Sequence, residues 1–139
     1  MLKAIDHIGI AVRDIEASMA LYRTMFDVVE FHRERVEDQG VDIASFDVGG
    51  VRIELTAPLT ASSPIARFIE KRGEGIHHLA FRSSELGADL ARLAEHSIAV
   101  IEPAPTRGAH EMLIAFLHPK TTGGVLMELC TPASNEGEN

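Results

Sequence analysis

GEGIHHLAF, residues 73–81, places two histidines side by side in a short apolar run. Read as a β-strand, the segment sends successive side chains to opposite faces, so His77 and His78 cannot both serve one site. An earlier segment, IDHIGIAV at residues 5–12, decides between them. Laying DHIGIAVRDIE on HHLAFRSSELG sets His7 over His78 and Asp6 over His77, and in that register Ile8, Ile10 and Ile15 fall on Leu79, Phe81 and Leu86. A shift of one residue, matching His7 with His77, would exchange the strand's faces and lose the apolar agreement. The chain therefore reads as a duplication in which His78 is the counterpart of His7. His77 is assigned to the opposite face as a packed or hydrogen-bonded histidine.

Working outward, each half shows the same order of elements. After the first strand, Asp14 can cap a helix whose apolar residues Ile15, Met19, Tyr22 and Phe26 recur at helical spacing. Strands follow over 28–36, 41–48 and 51–57, the last two joined by Gly49-Gly50, a pair suited to a primed hairpin turn. Ser63-Pro64 opens a short helix that Lys71, Arg72 and Gly73 close. The second half has a strand at 75–83, a helix at 85–95 with Leu86, Leu90, Leu93 and Ala94, and strands near 98–102, 111–117 and 124–130. The expected fold is α+β: two βαβββ modules, about 4–58 and 75–131, joined by a linker helix at about 63–73 within one domain, 1–131. TPASNEGEN, at the end, is small, polar and acidic, so 132–139 is expected to be a flexible tail.

Bulk properties narrow the function. A chain of 139 residues with 45% hydrophobic and 24% charged residues is ordinary for one globular domain that needs no disulfide to hold its core. No apolar run approaches the roughly 20 residues that span a bilayer, and Asp6 and His7 interrupt the apolar start. A single cysteine, Cys130, forms no internal disulfide; it is read as a small buried residue and as a sign of a reducing cytoplasm. The net charge of −8 argues against general nucleic-acid binding.

Each module also ends in a strand with one carboxylate among apolar residues, VRIELTAP and GVLMELCTP. Arg52, Glu54 and Thr56 alternate with Val51, Ile53 and Leu55, and Leu126, Glu128 and Cys130 alternate with Val125, Met127 and Leu129. Glu54 follows His7 by 47 residues and Glu128 follows His78 by 50, so each module supplies one His and one Glu. If the sheets curl so that their non-core faces look at each other, His7, Glu54, His78 and Glu128 meet in a cleft. A nitrogen and oxygen set without thiolate suits Co, Ni, Mn, Fe or Zn, and donor type does not choose among them. His32, His96, His110 and His118 lack the two-fold relation and are assigned surface or loop roles.

Paired βαβββ modules with His and Glu on their strands resemble the vicinal oxygen chelate (glyoxalase-like) superfamily, whose fold curves its sheet around a metal-binding cleft. Within it, IDHIGIAV, EDQGV, SPIARFIEKRGEGIHHLAF and AFLHPKTTGGVLMELC are most similar to the methylmalonyl-CoA epimerase family, across nearly all of residues 4–131. The resemblance implies that His7, His78 and Glu128 are metal ligands and that Glu54 stands where the family has a Glu or Gln ligand. It implies a divalent ion, Co2+ ahead of Ni2+, Mn2+ or Zn2+, an acyl-CoA substrate and a homodimer. The implied reaction inverts the carbon between a thioester and a carboxylate through an enolate that the ion stabilises. Inversion needs acid/base groups on both faces: Glu128 is one, and EDQGV offers Asp38 as the other, with Glu34, Glu37 and Asp42 as competitors. The family commonly has Glu at the Asp38 place. Gln39 is a candidate for holding the substrate carboxylate, and Arg67, Lys71, Arg72, Arg107 and Lys120 are candidate cations for the CoA tail. TRGAHEM departs from the glycine-richer family form. A glyoxalase I type lactoylglutathione lyase is the alternative with a near-identical donor set; an extradiol dioxygenase would leave Glu54 surplus, and a non-catalytic binding module would lack ligands that are present here.

Overall fold

A computed structural model describes residues 1–134. The first half comprises β1 (Leu2–Ala11), α1 (Ile15–Phe26), β2 (His32–Val36), β3 (Val41–Val48) and β4 (Val51–Pro58). After α2 (Pro64–Arg72) come β5 (Gly75–Ser83), α3 (Leu86–Glu95), β6 (Thr106–Arg107), β7 (Met112–Leu117) and β8 (Met127–Pro132). The class is α+β and each half is a βαβββ module, as the repeat requires. By backbone contact the described chain divides into two compact units, His7–His77 and Met1–Asp6 together with residues 78–134.

In the unit His7–His77 the strand order is β2-β3-β4-β1, with β1 parallel to β4 and the other pairs antiparallel. The Asp14 side chain accepts the Ala17 N–H at 2.9 Å and starts α1, and the left-handed Asp27 (φ 53°) ends it. Gly49 and Gly50 take φ of 56° and 89°, the double positive pair that a type I′ turn needs, and they close Val48 opposite Val51. The core packs Val12, Ile15, Met19, Ala44, Leu55 and Ala57 between helix and sheet, with Ile10 and Tyr22 at its margin. Arg33 seals the β2 edge by donating to Glu16 of α1 at 2.9 Å and to Asp42 of β3 at 3.2 Å, pairings that raise its pKa. In α2, Ser63 Oγ accepts the Ala66 N–H, and Ile65 and Ile69 are buried.

Strand β2 begins at His32 rather than at residue 28. The chain leaves α1 through Asp27, and Val28 to Glu30 join no ladder, with Val29 left 81% exposed. Valine content alone does not make a strand where no neighbouring strand offers a partner.

In the other unit the order is β5-β8-β7-β6, with β5 parallel to β8. Its core joins Leu86, Leu113 and Leu129 to Phe81, Leu90 and Leu93. Phe81, Leu86, Leu90 and Leu93 each lie 71 residues after Ile10, Ile15, Met19 and Tyr22, so the two cores are built from matching positions. A second cluster, Met112, Ile114 and Cys130 with Phe116, covers the alternate side chains of β7 and β8, and Cys130 is fully buried, as expected of it. Ser83 Oγ accepts the Glu85 N–H at 3.0 Å and donates to Asp89 at 2.6 Å, fixing the entry to α3.

The strand expected near 98–102 is absent; Val100 makes one isolated bridge to Leu117, and the ladder resumes at Thr106–Arg107. Pro103 and Pro105 lie between, and neither has an N–H to give a ladder. Strand β8 runs to Pro132, and residues 135–139 of the expected tail lie outside those described.

Candidate functional site

Register places each glutamate. In the parallel pair β1–β4, Glu54 stands beside Gly9, and in β5–β8, Glu128 stands beside Ala80. Gly9 and Ala80 are repeat counterparts, each two residues beyond its module's histidine, so both acids enter on the same rung. On the other side Ser45 of β3 faces Glu54 and Phe116 of β7 faces Glu128. Ser45 and Phe116 are also 71 residues apart, so the three residues separating the 47 and 50 intervals all lie in the β7–β8 connection. There the HPKTTGG segment, with its 3-10 turn Pro119–Thr121, stands in place of the two-glycine turn.

Within each unit the pair draws together. His7 Nε2 lies 3.6 Å from Glu54 Oε2, with 6% and 5% of the side chains exposed. His78 Nε2 lies 3.8 Å from Glu128 Oε1, with 7% and 3% exposed. Both gaps exceed a good hydrogen bond. Donors bonded at about 2.0–2.2 Å to one ion stand roughly 3 to 3.5 Å apart, so each pair is a few tenths of an ångström from sharing a ligated cation. Burial, donor chemistry and spacing all fit a divalent ion. The His78 ring is held edge-on by Phe116, with centroids 5.4 Å apart.

Arg52 was legible only as a residue on the Glu54 face. Its Nη2 lies 3.5 Å from Glu54 Oε1, and only 15% of its side chain meets solvent. The signal that could have found it is its place two residues before Glu54, which puts both side chains on one face of β4.

Asp38 and Gln39 sit on the 3-10 turn Glu37–Gln39 between β2 and β3, Asp38 exposed and Gln39 partly covered. Gly40 closes this turn with φ 68°, donating to Glu37 O, and a Cβ there would come within 3.0 Å of Ser63 Cβ. The turn is thereby docked on the start of α2. Among the competitors, Glu34 pairs with His32 at 3.4 Å and Asp42 with Arg33, whereas Glu37 is exposed beside Asp38.

The other histidines fall where the repeat left them. His77 packs edge-on against Phe68 at 4.9 Å, and burial pushes its pKa down to about 4. His96 is exposed, His110 lies on a short 3-10 turn, and His118 Nδ1 accepts the Lys120 N–H at 3.2 Å. Of the cations, Arg67 donates to Ser62 O and Arg72 lies over the Phe68 ring, while Lys71, Arg107 and Lys120 are exposed.

The sequence model of the Glyoxalase/Bleomycin resistance protein/Dioxygenase superfamily matches residues 6–116. The chain is 37% identical over 131 residues to the ethylmalonyl-CoA/methylmalonyl-CoA epimerase of Cereibacter sphaeroides, covering 93% of this chain and 98% of that protein. The crystal structure of methylmalonyl-CoA epimerase from Mycobacterium tuberculosis superposes with a TM-score of 0.89 at 40% identity, over 95% of this chain and 89% of that one. A Streptomyces coelicolor methylmalonyl-CoA epimerase variant in complex with 2-nitronate-propionyl-CoA matches at 37% identity and a TM-score of 0.88, over 96% and 99% of the two chains. With paired βαβββ modules, a buried His–Glu pair in each, and this likeness along nearly its whole length, the chain belongs to the methylmalonyl-CoA epimerase family of the glyoxalase/bleomycin resistance/dioxygenase superfamily.

Proposed function

We propose that this protein interconverts the (R) and (S) forms of methylmalonyl-CoA by proton transfer at the carbon between thioester and carboxylate. The observation that carries the reading is the repeat-matched, buried His–Glu pair in each half of a chain alike end to end to epimerases. His7, Glu54, His78 and Glu128 are the proposed ligands of one divalent ion, a nitrogen and oxygen set in which every donor is buried. When bound, the ion supplies Lewis-acid stabilisation of the charge that develops on the substrate oxygens.

The side chains do the rest. Buried on its strand, Glu128 keeps a carboxylate oxygen where water is scarce, which suits it to take the α-proton on one face. Asp38, on the docked turn, is the proposed acid/base of the opposite face, with Glu37 beside it as the competitor, and Gln39 the proposed donor to the substrate carboxylate. Lys71, Arg107 and Lys120 are exposed cations suited to CoA phosphates. Cobalt is proposed ahead of nickel, manganese or zinc. Residues 1–131 are taken as the working domain, since the ligand set draws on both modules.

A homodimer in the cytoplasm is the proposed state. Leu21, Met25, Phe26 and Val29 leave an apolar surface along and after α1, which supports self-association, and the one cysteine is buried. Among the described residues no helix is long and apolar enough to cross a membrane. Light scattering on a sizing column reads the oligomer.

The deciding assay incubates the metal-loaded protein with methylmalonyl-CoA in deuterated water, beside a parallel incubation with the methylglyoxal–glutathione adduct. Deuterium at C2 with inversion is the expected result; turnover of the adduct without C2 exchange would replace the epimerase with the lyase.

A further inference from the structure

The two halves match so closely that their differences carry information, and the sharpest lies beside the two glutamates. Glu54 has Arg52 two residues before it on the same face of β4; the matching place before Glu128 holds Leu126. The guanidinium approaches Oε1 of Glu54 at 3.5 Å, while the other oxygen, Oε2, faces His7 Nε2 at 3.6 Å. One carboxylate is thus bracketed by a cation on one side and the proposed ligand histidine on the other. Arg52 stands opposite His7 in the β1–β4 register and opposite the exposed Asp47 in β3–β4, so the acids nearest it in register are Asp47 across the ladder and Glu54 along its own face.

We propose that Arg52 is a positioning residue that commits Glu54 to one-oxygen ligation, dividing the work of the paired acids: Glu54 holds the ion and Glu128 moves the proton. This rests on the function proposed above. An oxygen that faces a guanidinium at 3.5 Å is poorly placed to chelate alongside its twin or to accept a proton from carbon. Leu126 offers no such hold, so the Glu128 carboxylate is the one that reorients toward substrate. The duplicated scaffold, symmetric in its donors, is made asymmetric in chemistry by one residue.

The test titrates metal-free protein with Co2+ by calorimetry and records the cobalt visible absorption, for the parent and for R52M, R52K, E54A and H78A. R52M is expected to weaken Co2+ binding about 10-fold or more, as loss of an outer partner of a ligand does, and to alter the absorption bands, with R52K recovering most of both. With Co2+ saturating, C2 deuterium exchange by R52M should fall less than its Co2+ affinity. Should R52M fail to fold, R52Q carries the same comparison. Unchanged affinity and spectrum in R52M, while E54A and H78A lose the ion, would remove Arg52 from this role and leave the ligand set standing. Undiminished Co2+ binding in E54A and H78A would instead overturn the ligand set, and the role of Arg52 with it.

Discussion

His78 faces Glu128 with Nε2 3.8 Å from Oε1, both side chains more than nine-tenths buried. Two buried donors at that spacing, beyond hydrogen-bond reach of each other, suit the shared cation proposed for them. Glu128→Gln keeps the shape and removes the charge. C2 deuterium incorporation should drop by about 10²–10⁴-fold, the range of a lost general base, and Co2+ should bind more weakly. His78→Ala should weaken Co2+ while leaving Glu128 in place. Exchange at parental rates in E128Q would rule this acid out as the base.

Asp38 should matter to solvent exchange of one epimer only, while inversion is lost from both. If it serves the face opposite Glu128, Asp38→Asn will still exchange the proton of one epimer with solvent yet fail to invert it, whereas the other epimer will exchange slowly. Asp38→Glu restores the longer side chain common in the family and should keep inversion. Chiral analysis of C2-deuterated product from each pure epimer reads this; unimpaired inversion in D38N would shift the role to the exposed Glu37 beside it.

Much of this fold was legible because duplication repeats the test. The match of Ile10 and Ile15 to Phe81 and Leu86 set two modules in register, and in the two helix-on-sheet cores Met19 and Tyr22 continue that match to Leu90 and Leu93. Asp14, Gly49-Gly50 and Ser63-Pro64 worked as punctuation since each acts within a few residues. Residues 98–102 misled because their apolar content is real but pairing depends on a partner strand, and Pro103 and Pro105 push the ladder on to Thr106. Period and repeat picked out His7 with Glu54 and His78 with Glu128, and each pair lies together in its own unit. Arg52 was not picked out, because a cation has no counterpart at Leu126 and asymmetry is invisible to a repeat argument. Likewise the pairing of Asp6 with Arg82, 76 residues apart, is set by tertiary register alone.

Gly40 links stability to the proposed base. Its φ of 68° is left-handed, and a Cβ would meet Ser63 Cβ at 3.0 Å where α2 begins. Gly40→Ala should therefore cost about 1–3 kcal/mol in urea unfolding, from strain plus the contact. The Glu37–Gln39 turn would shift off its seat, lowering the rate of inversion, while Co2+ affinity should stay unchanged because the turn holds none of the proposed ligands. A variant that loses metal and rate together would place this turn in the metal site instead.

Arg82 donates through Nε and Nη2 to the same Asp6 oxygen, at 3.2 and 2.6 Å. The Asp6 side chain is 0% exposed and that of Arg82 is 44% exposed, so only the acid is fully desolvated. Removing the cation strands a buried negative charge; solvent screening at the guanidinium end moderates the loss, giving about 2–3 kcal/mol for Arg82→Ala. Asp6→Asn should cost less than Arg82→Ala, since a neutral amide tolerates burial better than a carboxylate, and in the D6N background the arginine substitution should become nearly silent. Urea denaturation of the parent, both single variants and the double variant completes the cycle. Additive losses would mean that the two residues stabilise the protein independently, and that the short contact contributes nothing of its own.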